Sequence, residues 1–213
     1  VTGSRSGREN DGKRRVGAGP IAVSHPSRVP PSRSVTPDMA DIPSLETDRL
    51  RLRAHRLDDF DAYAAMWREP SVIRFIGGAP LSREAAWVRF LRQSGLWRHL
   101  GFGFLALEDK ATGALVGEAG FHDLHRDLVP SIEGTMEAGW ALAGAFQGRG
   151  LAEEAMRAML LWGRDHGVGP RLTCIIHPDH AASLRVAAKL GFAEAARSTY
   201  HGAPVVILER PRV

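Results

Sequence analysis

The chain predicts a mixed α/β fold, one mixed sheet covered by helices, on three observations. Segments that alternate apolar and polar residues with period two recur along it, as in Arg49-Leu50-Arg51-Leu52-Arg53. Between them lie segments with apolar residues at helical spacing, as in Leu151, Ala155, Met159 and Trp162. A glycine-rich turn, Gln147-Gly148-Arg149-Gly150, joins a short apolar strand to that helix within the stretch Glu137–Ala155.

The elements follow in order. The strand over 49–53 is half-buried by its alternation. Asp58 or Asp59 is placed to cap a helix whose Phe60, Tyr63, Ala64 and Trp67 share a face. After a Gly77-Gly78 loop, Ser82 caps a second helix with Ala86, Phe90 and Trp97 among its apolar positions. Phe102–Leu107 and Ala114–Phe121 read as strands joined by the turn Asp109–Gly113. A loop through Pro130 leads to the strand ending Trp140-Ala141-Leu142, and the helix after the glycine turn runs from about Leu151 to His166. Leu172–Ile176 is a strand, and Ala181–Leu190 a short helix ended by Gly191 at C′. Strands near Phe192–Tyr200 and Val205–Glu209 flank His201-Gly202-Ala203-Pro204. The order is β-α-α-β-β-β-α-β-α-β-β, read as a mixed sheet with helices on it.

The 213 residues suffice for one well-buried domain and an additional segment. No apolar run approaches the ~20 residues that span a bilayer, and no apolar h-region marks a secretory signal. The only cysteine, Cys174, lies in the apolar run 172–176, so no disulfide forms within the chain and a cytoplasmic setting is expected. Residues 1–44 are rich in Gly, Ser, Pro and Arg without periodicity, and read as a disordered tail ahead of a domain over 45–213. Met39, just before the first patterned segment, is a candidate native start. The tail carries +3 of the net charge of +4, which leaves the domain near neutral and makes nucleic acid an unexpected partner.

Backbone N–H groups converge on a turn like that over 147–152, and the following helix dipole adds positive potential there. The site suits a diphosphate. A Walker A loop is excluded because Gly150 is followed by Leu151, and a dinucleotide fingerprint because Glu153 stands at the third glycine. On the turn alone, a structural glycine cap is the competing reading.

Four motifs carry a resemblance to the GCN5-related N-acetyltransferase (GNAT) superfamily. Gln147-Gly148-Arg149-Gly150-Leu151-Ala152 fits its Arg/Gln-x-x-Gly-x-Gly/Ala signature, and Glu137-Ala138-Gly139-Trp140 is similar to the strand before it. Leu45–Arg53 resembles the opening strand of the ribosomal-protein N-terminal acetyltransferase (RimJ/RimL-like) branch, and His177–Ser183 with Lys189-Leu190-Gly191-Phe192 resembles that branch's distal segment. The resemblance spans about 45–210 and implies a mostly antiparallel central sheet, splayed between the fourth and fifth strands. It also implies acetyl transfer from acetyl-CoA to a primary amine, on a protein N-terminus or a small molecule. His180 departs from the branch's asparagine, and Ala187 from the tyrosine that protonates the departing thiolate in many members.

By that resemblance Gln147, Gly148, Arg149, Gly150, Leu151 and Ala152 hold the CoA pyrophosphate. Trp140, Ala141 and Leu142 offer strand backbone to the pantetheine, with the Leu142 N–H polarising the thioester carbonyl. The attacking ammonium must first lose a proton. Glu137 is the leading base, directly or through a water; Glu133 is its alternative, and His122 is a second candidate because imidazole titrates near neutrality. Ser183 is expected at the thiol end, as proton relay or as N-cap of the following helix, and His180 takes over asparagine's contacts. Lys189 is expected in solvent or at the CoA 3′-phosphate. The spacing of His122 and His125 does not make a metal site, and no metal is expected. The helices between Trp67 and Trp97 carry Arg68, Glu69, Arg74, Arg83, Glu84, Trp87 and Arg92, a mixed set read mainly as a solvated face that selects no acceptor. A catalytically inactive acetyl-CoA-binding sensor or scaffold is the alternative function, and a homodimer is left open.

Overall fold

The computed structural model describes residues 42–166 and 171–211. The tail and the Met39 start fall almost wholly on residues 1–41, outside the described residues. Ile42 already packs against the core.

A two-residue strand β1 (Leu45–Glu46) folds back on β2 (Leu50–Arg53). Helices α1 (Phe60–Met66), α2 (Pro70–Ile73) and α3 (Arg83–Leu100) follow, then the antiparallel run β3 (Phe104–Asp109), β4 (Leu115–His122) and β5 (Met136–Leu142). Helix α4 (Leu151–Asp165) crosses to β6 (Leu172–Ile176), and α5 (Ala181–Lys189) leads to the hairpin β7 (Ala193–Tyr200) and β8 (Ala203–Arg210). The sheet has eight strands in the order β1-β2-β3-β4-β5-β6-β8-β7. Only β5 and β6 run parallel, and they pair only at Met136↔Leu172 and Glu137↔Thr173. This is the expected splay, since β5 and β6 are the fourth and fifth of the strands read from the sequence.

Alternation along β5 gives the sheet two different faces. Met136, Ala138 and Leu142 join Leu52, Leu105 and Phe121 under α4, whose Leu151, Ala155, Met156 and Met159 close the main core. Ala141 points the other way, into a second cluster with Tyr63 and Ala64 of α1 and Ala86 and Phe90 of α3. That second face also carries a polar row, Glu118, His122 and Glu137, at most 6% exposed. Among the described residues no helix is long and apolar enough to cross a membrane.

Sequence and structure differ where elements are short or caps compete. β1 and α2 have two and four residues, too few for a periodic pattern. Ser82 caps α3 as expected, accepting from Ala85 N at 3.0 Å. Asp59 does stand at the N-cap of α1, but its carboxylate is taken by the Arg53 guanidinium at 2.7 and 2.8 Å and by Arg56 N at 2.7 Å. Ser183 is not an N-cap: α5 begins at Ala181 with His180 in that position. Gly191 ends α5 at φ +84°.

Candidate active site

The turn after β5 carries little side chain over its backbone, and a Cβ at Gly148 would meet nothing within 4 Å. Gly148 and Gly150 both adopt left-handed φ, +73° and +78°, where an L side chain is strained. The first helical bond of α4 runs from Glu154 N to Gly150 O, so the N–H groups of Leu151, Ala152 and Glu153 precede the ladder. Leu151 is buried and Ala152 packs against the core, which anchors the turn from below. The side chain of Gln147 does not project to a ligand: its Nε2 donates to Leu142 O at 2.9 Å and fastens the turn to β5. Arg149 is exposed, with Cζ 5.5 Å from the Phe146 ring.

Arg49 was not singled out from the sequence, yet it braces this turn. Its Nη1 donates to Arg149 O at 2.9 Å, and its Nη2 is 3.6 Å from where a Gly150 Cβ would stand. Glu154 holds it there through Nε at 2.7 Å and also accepts from Thr47 Oγ1 at 2.6 Å. Nothing local in the sequence signals a contact 105 residues apart.

The open edge of β5 presents defined groups. Ala143 N donates to Val116 O on the β4 side, whereas Met136 N donates to Arg171 O on the β6 side. Since N–H directions alternate along a strand, Trp140 and Leu142 direct theirs to the side where β6 has diverged. Ala141 directs its backbone to β4, opposite Glu118.

The register of β4 and β5 sets His122 beside Glu137. His122 Nε2 lies 3.1 Å from Glu137 Oε1, and Arg126 Nε donates to Oε2 at 2.6 Å. Burial opposes ionisation of Glu137, but His122 and Arg126 together outweigh it and hold the carboxyl below its usual range. The Phe104 ring stacks on His122 at 4.9 Å. It lies over Gly139, where a Cβ would meet Phe104 Cζ at 2.6 Å, and this accounts for the glycine in Glu137-Ala138-Gly139-Trp140. Arg126, in the loop after β4, is the partner that sequence reasoning missed. Glu133 sits instead on an exposed turn, 2.6 Å from His125 Nδ1, so His122 at the end of β4 and His125 in the loop face different carboxylates.

His180 and Ser183 are brought together, with Ser183 Oγ 3.4 Å from His180 Nε2. Burial, then His177, pushes the His180 pKa down and favours the neutral ring. Phe75, just after α2, stacks on it at 4.5 Å. Glu69, before α2, accepts from Gly144 N at 2.6 Å, so the segment between α1 and α3 is tied to both sides of the open edge. Lys189 pairs with Glu153 at 2.9 Å and joins α5 to α4.

The description "Acetyltransferase (GNAT) domain" matches residues 49–193. The chain belongs to this family. As a GNAT domain it is an acyltransferase, and the family uses acetyl-CoA. The domain is 37% identical to a Bordetella pertussis protein assigned to the GnaT-family acetyltransferases, covering 79% of this chain and 99% of that one at a TM-score of 0.70. An Agrobacterium tumefaciens acetyltransferase is 28% identical, with 79% and 94% covered and a TM-score of 0.68. The uncharacterized YkkB of Bacillus subtilis is 30% identical over 171 residues, 78% of this chain and 94% of that protein. RimL, a ribosomal L7/L12 α-N-protein acetyltransferase solved with CoA, shares the fold at 17% identity and a TM-score of 0.64. That likeness is one of fold alone.

Proposed function

We propose that this GNAT domain transfers acetyl directly from acetyl-CoA to a primary amine, on a protein N-terminus or a small molecule, in a cytoplasmic setting. One observation carries the reading: an N–H-lined turn leads onto an open strand edge that ends at a buried imidazole–carboxylate pair. The residues fit the donor. The left-handed Gly148 and Gly150 leave their backbone bare for a diphosphate, and the N–H groups of Leu151–Glu153 add the helix-terminal field. Trp140 directs its N–H to the pantetheine, and Leu142 to the thioester carbonyl, where an oxyanion donor is worth about 3–4 kcal/mol.

Arg126 holds one oxygen of Glu137, the other faces His122 Nε2 across 3.1 Å, and a carboxylate held below its usual range is a poor base. We therefore move the base from Glu137 to His122, with Glu137 as the positioning residue that holds the ring. His122 takes the proton from the amine nitrogen as the C–N bond forms and the C–S bond breaks. Ser183 passes its hydroxyl proton to the departing sulfur and regains one from solvent past the neutral His180. The buried pair favours an enzyme over an inactive acetyl-CoA-binding module.

Acetylation assays against peptides of varied N-terminus, polyamines and aminoglycosides test this, with calorimetry of acetyl-CoA binding. His122→Gln lowers kcat by about 10²–10⁴-fold with acetyl-CoA affinity unchanged, and Glu137→Gln lowers it less. Wild-type turnover in His122→Gln removes that residue as base, and failure to bind acetyl-CoA removes the whole reading.

A further inference from the structure

The face of α3 that reads as solvated in the sequence contains a buried polar cluster with too many donors. Glu118 of β4 is fully buried and already served: Gln93 Nε2 donates to it at 2.8 Å and Tyr63 Oη at 3.3 Å. Arg89 Nη2 and His55 Nε2 stand 3.5 Å from its oxygens. Around it Trp67 Nε1, Arg89 Nε and Arg92 Nε are buried without a hydrogen-bond partner. So is His55 Nε2, on a side chain 3% exposed, and Gln93 Oε1 is an acceptor left over beside it. Among the described residues no carboxylate comes within 4.0 Å of the Arg92 guanidinium, although that of Glu118 is in electrostatic reach. Orphaned donors of this kind cost stability unless an acceptor arrives, and orphaned guanidinium nitrogens call for an anion.

The cluster adjoins the reacting groups. Glu118, Gly120 and His122 follow one another on the same face of β4. The Gly120↔Gly139 pair between them carries no side chains and is roofed by the Phe104 ring. The field at Arg92 comes from Arg89 and Glu118 and also from Arg126, the partner of Glu137.

We propose that the acceptor is a small amine that carries a carboxylate at the far end of a short carbon chain, of the ω-amino-acid type, and that Arg92 receives that carboxylate while the amino group meets His122. The proposal rests on the transferase reading above and specifies its substrate class. Guanidinium donors match a carboxylate's two oxygens in a planar fork that a single ammonium does not offer.

The test is acetylation, by the full chain, of α- to ω-amino acids of increasing chain length, their carboxamides, and short C-terminally amidated peptides lacking carboxylates. The expected result is a free amino acid preferred over its own amide by about tenfold or more in kcat/KM, expressed mainly in KM. Arg92→Gln should erase that preference by weakening the acid, leave the amide within about twofold, and leave acetyl-CoA affinity unchanged by calorimetry; Arg92→Lys should restore part of it. Amides or amidated peptides acetylated as well as acids by the unmodified protein overturn the proposal alone, and so does equal loss on acid and amide in Arg92→Gln. No acetylation of any amine, with acetyl-CoA bound, overturns the transferase reading and this proposal with it.

Discussion

At Gly139 the backbone of β5 runs directly beneath the Phe104 ring, which in turn lies flat on His122. A methyl group there would have to displace a ring that is only 3% exposed. Gly139→Ala is therefore expected to cost about 1–3 kcal/mol by overpacking and to tilt His122 away from Glu137. A lower urea midpoint together with reduced kcat checks this; an unchanged kcat would separate the stacking from the chemistry. The sequence makes His122 and Glu137 candidates because their side chains suit proton transfer. It does not reveal that they touch, because that depends on the register His122↔Glu137, nor that Arg126 occupies the second oxygen. Arg92 is illegible for a similar reason: an arginine on an amphipathic helix reads as solvated until the buried Glu118 appears beneath it.

Elements are held to one another by buried charge as much as by the apolar cores. Arg53 of β2 binds Asp59 before α1 with two bonds at 2.7 and 2.8 Å, and Glu108 of β3 through Nε at 2.6 Å. All three residues are under 10% exposed. Arg53→Met leaves the buried Asp59 carboxylate without its guanidinium and Glu108 with the half-exposed Arg51 as its close cation, and is expected to cost about 3–5 kcal/mol. Chemical denaturation measures it, and a loss under about 1 kcal/mol would mean that water already serves these carboxylates. In the sequence Arg53 is only the last polar position of an alternating strand. Periodicity brought out every strand of four residues or more and the longer helices. It passed over β1 and α2, which contacts rather than pattern maintain. The glycine turn was legible because φ +73° and +78° demand glycine, whereas the brace from Arg49 and Glu154 was not.

In the molecule as a whole, two of the buried carboxylates, Glu118 and Glu137, lie in a sheet face that stays charged. For both, burial raises the pKa, but facing histidines and arginines outweigh it and the result lies below the usual range. The unfolded chain, with carboxyls near ~4.3, then binds more protons than the folded one as pH falls past that value. Their contribution is complete above about pH 5 and is lost as pH drops through the lower folded values. Urea midpoints should decline steeply between about pH 5 and pH 3, and Glu118→Gln should flatten the decline; a pH-independent midpoint there would contradict the ion pairs. The fold as a whole was legible from element order, and the splay from the resemblance, since no residue pattern marks where two parallel strands part. That parting leaves a signature in time. Along one strand, amides 141 and 143 are locked to β4, while 140 and 142 have no strand facing them. Deuterium should enter β5 in an every-other-residue rhythm, and saturating acetyl-CoA should silence it, so that the substrate finishes the sheet on every turnover.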